Sequence, residues 1–176
     1  NQVDVSSYKD PWEYGGDTGL KDQKVTIKKV KGMSESSIRG MDTSSYLALK
    51  KAGVKYYDYE GNETPLLKVL HDNGINYIRI RIWNDPFNAD GETYGGGGND
   101  VSTGVEIAKE AAQYDMKVLL DFHYSDFWAE PAVQLVPKAW KKDVNNTEKM
   151  CSDVYDFTKE SIQKFKDAGA NIGMVQ

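Results

Sequence analysis

Two short stretches gather most of the residue types able to act on a ligand. Residues 79–85, RIRIWND, alternate two cations with isoleucine and end in an indole, an amide and a carboxylate. Residues 121–128, DFHYSDFW, set Asp121, His123, Ser125 and Asp126 among Phe122, Tyr124, Phe127 and Trp128. Aromatic faces beside short polar side chains suit a sugar ring, whose C–H face stacks and whose hydroxyls take paired hydrogen bonds. The whole chain leans the same way, with 4 Trp and 11 Tyr against 5 Phe. Other chemistries have less material. One Cys rules out an intrachain disulfide framework and a zinc site built from several thiolates. The two histidines, His71 and His123, stand far apart in sequence. No dinucleotide-binding or Walker glycine pattern follows a strand, and GGGG at 95–98 reads as a flexible loop.

Those stretches need elements to hold them, and from Ile38 the chain keeps a rhythm of about 40 residues. SIRGMD predicts a short strand. Ser44 or Ser45 predicts a cap for a helix through YLALKKA, with Gly53 as its stop. Thr64 as N-cap and Pro65 as first helical residue open a second helix that Gly74 ends. INYIRIRIW (75–83) and MKVLLDFHY (116–124) read as strands on either side of a helix through VSTGVEIAKEAAQYD. A loop rich in Trp and Pro runs to about Val144. A long helix capped by Asn146 or Thr147 follows, and then the apolar strand start NIGMVQ. This alternation predicts an α/β fold with a parallel sheet. Residues 1–30 differ, being polar and rich in Tyr, Asp and Gly, with one alternating stretch, VTIKKV (25–30). They read as an arm or the remnant of a preceding module, ahead of a domain over 31–176.

The strands favour a barrel over a doubly wound sheet. Period two puts Ile78, Ile80 and Ile82 on one face and Arg79 and Arg81 on the other. Val118, Leu120 and Phe122 share a face opposite Leu119, Asp121 and His123, and Gly40 shares one with Asp42. A doubly wound sheet has helices on both faces, so both should be apolar. A barrel accepts polar inward residues at the C-terminal ends of its strands, where barrel active sites lie. On that reading Trp83, Tyr124, Phe127 and Trp128 meet Asn84, Asp85, Ser125 and Asp126 at one mouth. The competing reading of the same charges is an interior ion-pair layer, Arg79 or Arg81 with Asp121.

Composition sets the limits. A formal net charge of −5, from 22 Lys+Arg against 27 Asp+Glu, argues against nucleic acid or an anionic membrane as partner. No window approaches the ~18 apolar residues of a spanning helix. The first ten residues, NQVDVSSYKD, lack the charged and apolar regions of a signal peptide. Two Asn-x-Thr sequons occur, at Asn62 and Asn145, although Thr64 and Thr147 also read as helix caps.

The segments RGMDTSSYLALKKAGVKYYD, NGINYIRIRIWNDP and LLDFHYSDFWAEPAVQLVPKAW resemble the endo-β-1,4-galactanases of glycoside hydrolase family 53, in order and spacing from about Ile38 to Gln176. One departure is Glu130, where the family usually has Asp. The resemblance implies a (β/α)8 barrel of the retaining glycosidases that cleaves β-1,4-galactan, the side chains of pectin, inside the polymer. It implies two catalytic Glu, the acid/base directly after an Asn at the end of strand four and the nucleophile ending strand seven. NIGMVQ matches the start of strand four, so both Glu are expected beyond Gln176. The chain is then the N-terminal half of the barrel, strands one to four, inactive alone and needing its C-terminal half. Carried over residue by residue, Arg79 stands near the nucleophile and helps keep it ionised. His123 lines the subsite nearest the cleaved bond. Asp126, Phe127 and Trp128 line the glycone subsites, with Trp128 as stacking platform, while Asp42 and Trp83 are mouth residues. The family's calcium, where present, belongs to a later loop, so no metal or cofactor is expected in this chain. A polymeric substrate implies a secreted or cell-surface protein. The alternatives are a non-catalytic galactan-binding half-barrel and another endo-glycanase of the clan, a β-mannanase or cellulase.

Overall fold

A computed structural model describes residues 30–176. The expected arm over 1–30 and the strand over 25–30 lie outside the described residues, save Val30. The chain divides into compact units at Ser37/Ile38. In the first, residues 30–37 form turns tied by hydrogen bonds among Ser34, Ser36 and Ser37.

The second unit carries β1 (Gly40–Asp42), α1 (Tyr46–Lys51), α2 (Leu66–Asp72), β2 (Tyr77–Ile82), α3 (Val101–Ala112), β3 (Lys117–Phe122), α4 (Thr147–Asp167) and β4 (Ile172–Val175). All strand pairs are parallel, in the spatial order β1-β2-β3-β4. A doubly wound sheet reverses its strand order at a switch point. Sequential order is that of a barrel wall, so the chain is a half-barrel of four strands. The expected alternation decides which face is which. Ile78, Ile80, Ile82, Val118 and Leu120 have no exposed surface and pack with Leu67, Ile107, Ala108, Ala111 and Phe165 from the helices. That leaves Tyr77, Arg79, Arg81, Leu119 and Asp121 for the opposite, inward face.

Helix α3 lies close against β2 because Gly104 has no side chain. A Cβ there would stand 2.6 Å from Ile82 Cδ1 and 2.9 Å from Phe165 Cζ. Gly104→Ala should therefore destabilise. Better helix propensity returns up to about 1 kcal/mol, while overpacking a closed core costs about 1–3 kcal/mol. A lowered melting temperature of the complete protein is the expected result, and an unchanged or raised one would contradict this account of the packing.

Several local expectations need correction. Pro65, with ψ 137°, is itself the N-cap of α2, so the helix starts one residue later than expected. The Thr64 hydroxyl donates instead to the carbonyl of Asn62, at 3.0 Å. Neither Ser44 nor Ser45 caps α1 through its side chain. The Ser44 hydroxyl accepts the Arg81 backbone N–H at 2.9 Å, tying the start of α1 to β2. Asn146, and not Thr147, caps α4 by accepting from the Lys149 N–H. In the glycine run 95–98, Gly96, Gly97 and Gly98 sit against neighbouring atoms with no room for a side chain. The four φ values of the run are all positive, and a Cβ on Gly96 would stand 2.7 Å from the Trp83 ring. The loop after β3 also contains a 3-10 helix, Lys138–Asp143, which no hydrophobic period announced.

Candidate functional site

The inward face of β1–β3 carries one connected polar row. Register sets Arg79 beside Asp42 and Arg81 beside Asp121. Yet it is Arg79 that takes both carboxylates, with Nη1 donating to Asp42 Oδ2 at 2.8 Å and Nη2 to Asp121 Oδ2. Asp121 is only 4% exposed, so its charge needs this partner. His123 joins through Nε2, 3.1 Å from Asp121 Oδ2. On its other side the Trp83 indole N–H donates to His123 Nδ1 at 3.2 Å. An indole can only donate. Nδ1 is therefore the acceptor, and Nε2 carries the proton offered to Asp121. The ion-pair layer read from the sequence is thus present with Arg79 and not Arg81, and His123 belongs to it.

Burial pushes the Asp42 carboxyl upward. Hydrogen bonds from the Ser44 backbone and hydroxyl, and then from Arg79, outweigh burial and hold it below the ordinary carboxylate range. A depressed folded-state pKa gives stability that is present above the unfolded pKa, near 4, and lost as pH falls through the lower folded value. Asp42→Asn should therefore flatten the loss of thermal stability below about pH 4. Parallel melting curves for the two proteins across that range would refute it.

Above the polar row sits an aromatic tier. Trp83, expected at the mouth, has no exposed surface. It lies under Phe127, stacked at 5.8 Å between centroids, and meets the edge of Trp128 at 5.4 Å. The Arg81 guanidinium lies 4.4 Å from the Trp83 ring and 4.0 Å from the Trp128 ring. Its Nη2 donates to the Gly96 carbonyl, which locks the sandwich to the glycine turn. Burial lowers the Arg81 pKa, opposed by the charges of Asp42 and Asp121, but a guanidinium stays charged. Trp128 is 42% exposed and Phe127 38%, so both present rings to solvent on a fixed base. Tyr124 turns the other way. With φ 48° it stacks on Phe122, and its hydroxyl meets Thr158 of α4.

A cleft of about 620 Å³ opens beside this tier, lined by Tyr94, Ser125, Asp126, Phe127, Leu135, Val136, Lys138 and Lys141. Asp126 stands at its wall with both oxygens engaged. Oδ1 accepts the Asp85 N–H at 3.0 Å and Oδ2 the Lys138 N–H at 2.8 Å. As arranged, Asp126 joins loops instead of offering a free carboxylate. His123 likewise has both ring nitrogens committed, so neither its N–H nor its one lone pair is free to meet a hydroxyl. Of the seven site residues expected from the sequence, the structure gathers Asp42, Arg79 and His123 in the polar row, Trp83, Phe127 and Trp128 in the tier above, and Asp126 at the loop junction. In the sequence Arg81 reads only as an ion-pair partner for Asp121, and Tyr94 and Lys138 carry no signal at all. Among the described residues no cluster of three or more His, Cys, Asp or Glu could hold a metal ion. No helix among them is long and apolar enough to cross a membrane.

Comparison with known proteins adds independent information. Residues 38–176 match the family described as Glycosyl hydrolase family 53. A Bacillus subtilis protein named endo-beta-1,4-galactanase is 46% identical over 157 residues, covering 89% of this chain and 36% of that protein. A Humicola insolens protein named arabinogalactan endo-beta-1,4-galactanase is 34% identical over 137 residues, covering 78% of this chain and 38% of that protein. Among solved structures, the Ignisphaera aggregans GH53 catalytic domain superposes with a TM-score of 0.81 at 39% identity, over 87% of this chain and 42% of that one. The chain thus spans little more than a third of the length of the named relatives it matches.

Proposed function

This chain belongs to glycosyl hydrolase family 53, and from that we propose that it is the N-terminal half-barrel of an endo-acting, retaining glycoside hydrolase that cleaves β-1,4-galactan. The observation that carries the reading is the exposed Trp128 platform, fixed by Arg81 beside the charged row of Asp42, Arg79, Asp121 and His123. A stacking surface next to oriented charges at the strand ends is what holding a sugar at a reacting centre requires.

In this reading the chain supplies binding and electrostatics, and the catalytic Glu pair lies outside it. Retaining hydrolysis needs two carboxyls ~5–5.5 Å apart, one as nucleophile and one as acid/base. Arg79 sits on the wall that the nucleophile faces and favours its ionised form. The 176 residues alone are then inactive, need no metal or cofactor, and leave any calcium to the later half. The complete protein works outside the cell on pectic side chains. Reducing-sugar release by the complete protein from galactan, mannan and cellulose tests this. Release from galactan alone is expected. Release from mannan or cellulose with galactan intact would overturn the assignment.

A further inference from the structure

Three separate pieces of chain meet at the cleft beside Trp128, and one side chain joins them. Lys138, at the start of the 3-10 helix, reaches across to the loop after β2. Its ammonium donates to the Phe87 carbonyl and to the Tyr94 hydroxyl at 3.2 Å, and pairs with the Asp85 carboxylate at 3.0 Å. The same ammonium lies 5.0 Å from the Tyr94 ring centroid. The Lys138 backbone N–H is held by Asp126, whose other oxygen holds the Asp85 N–H. Asp85, Asp126 and Lys138 thus close a ring of contacts between residues far apart in the sequence. Tyr94 and Phe127 both line the cleft and meet edge to face, their ring centroids 6.3 Å apart.

We propose that Lys138 is a positioning residue for binding of long sugar chains: it fixes Tyr94 and the loop after β2 against Phe127, and so shapes the aromatic wall of the cleft that takes the part of the chain remote from the cleaved bond. Its three donors are taken up by the carbonyl, the phenol and the carboxylate, so it acts through the walls and not on the sugar. Burial would lower its pKa, but the hydrogen bonds to Asp85 and Tyr94 and the charges of Asp85 and Asp126 raise it, which keeps the ammonium charged. Arg cannot reproduce a point donor to three acceptors, yet it keeps the charge and the reach.

The inference rests on the proposed glycanase reading, and its test separates the two. In the complete protein, KM and kcat are measured for a long and a short galacto-oligosaccharide with the native protein, Lys138→Met and Lys138→Arg. Melting temperatures are taken alongside. Lys138→Met should raise KM for the long substrate roughly three- to tenfold, the scale of the net contribution of one hydrogen bond. Its kcat should change far less, the short substrate should be nearly unaffected, and Lys138→Arg should recover part of the loss. Equal effects on long and short substrates, or an unchanged KM in a protein that melts normally, would overturn the positioning role. If the native protein cleaves neither oligosaccharide, the glycanase reading itself fails.

Discussion

Replacing Arg79 with alanine in the complete protein is expected to lower kcat on galactan by about 10²- to 10³-fold, the scale of losing one preorganised charged donor. KM should move much less. Two effects combine. Asp42 and the buried Asp121 lose their shared cation, so the inward face becomes more negative. A nucleophilic carboxyl facing it then holds its proton more tightly, because loss of a nearby positive charge disfavours the ionised form. Only the ionised form attacks. The acidic limb of the kcat–pH profile should accordingly move to higher pH. Arg79→Lys should recover part of the rate, since it restores a charge but not the two-pronged reach. An unchanged rate constant with an unchanged acidic limb would show that Arg79 is merely structural.

Trp128→Ala should give the opposite pattern. Stacking acts on bound substrate and transition state alike, so its loss raises KM and spares turnover at saturation. The expected loss is about 1–3 kcal/mol, from the apolar area and ring contact removed. The effect sits at the upper part of that range because Trp128 is already ordered. Arg81 lies 4.0 Å from its ring, and Trp83 meets it edge-on. A prepositioned ring spends little of its contact energy on immobilisation. Trp128→Phe should lose less than Trp128→Ala. Abolished turnover at saturating galactan would instead place this ring at the reacting bond.

Much of this arrangement was legible in the residues because period two is a strict rule within a strand. It put Ile78, Ile80 and Ile82 against the helices, and Arg79, Asp121 and His123 inward, before any coordinates. The same rule, carried two residues past the end of β3, sets Tyr124 on the helix side with Phe122 and away from the mouth. The complete burial of Trp83 had no local signal, because it depends on Arg81, Phe127 and Trp128, side chains from one strand and a loop. The glycine turn looked flexible in composition alone. Its packing arises from contacts with Trp83, Ser44 and Thr93. The Lys138 bridge had no local signal, since its partners lie in a different loop.

Every hydrogen bond in the polar row points toward a carboxylate. Trp83 gives to His123, His123 gives to Asp121, and Arg79 gives to Asp121 and Asp42, with Ser44 giving to Asp42 from the other side. Two acceptors therefore terminate the chain, and neither carries a proton to pass on. A relay needs each member to accept on one side and release on the other, and then to reset by turning over. Here the indole cannot accept and the guanidinium cannot let go. The row is a one-way circuit with no return. It can fix a field in the cavity, but it cannot carry a proton from one end to the other.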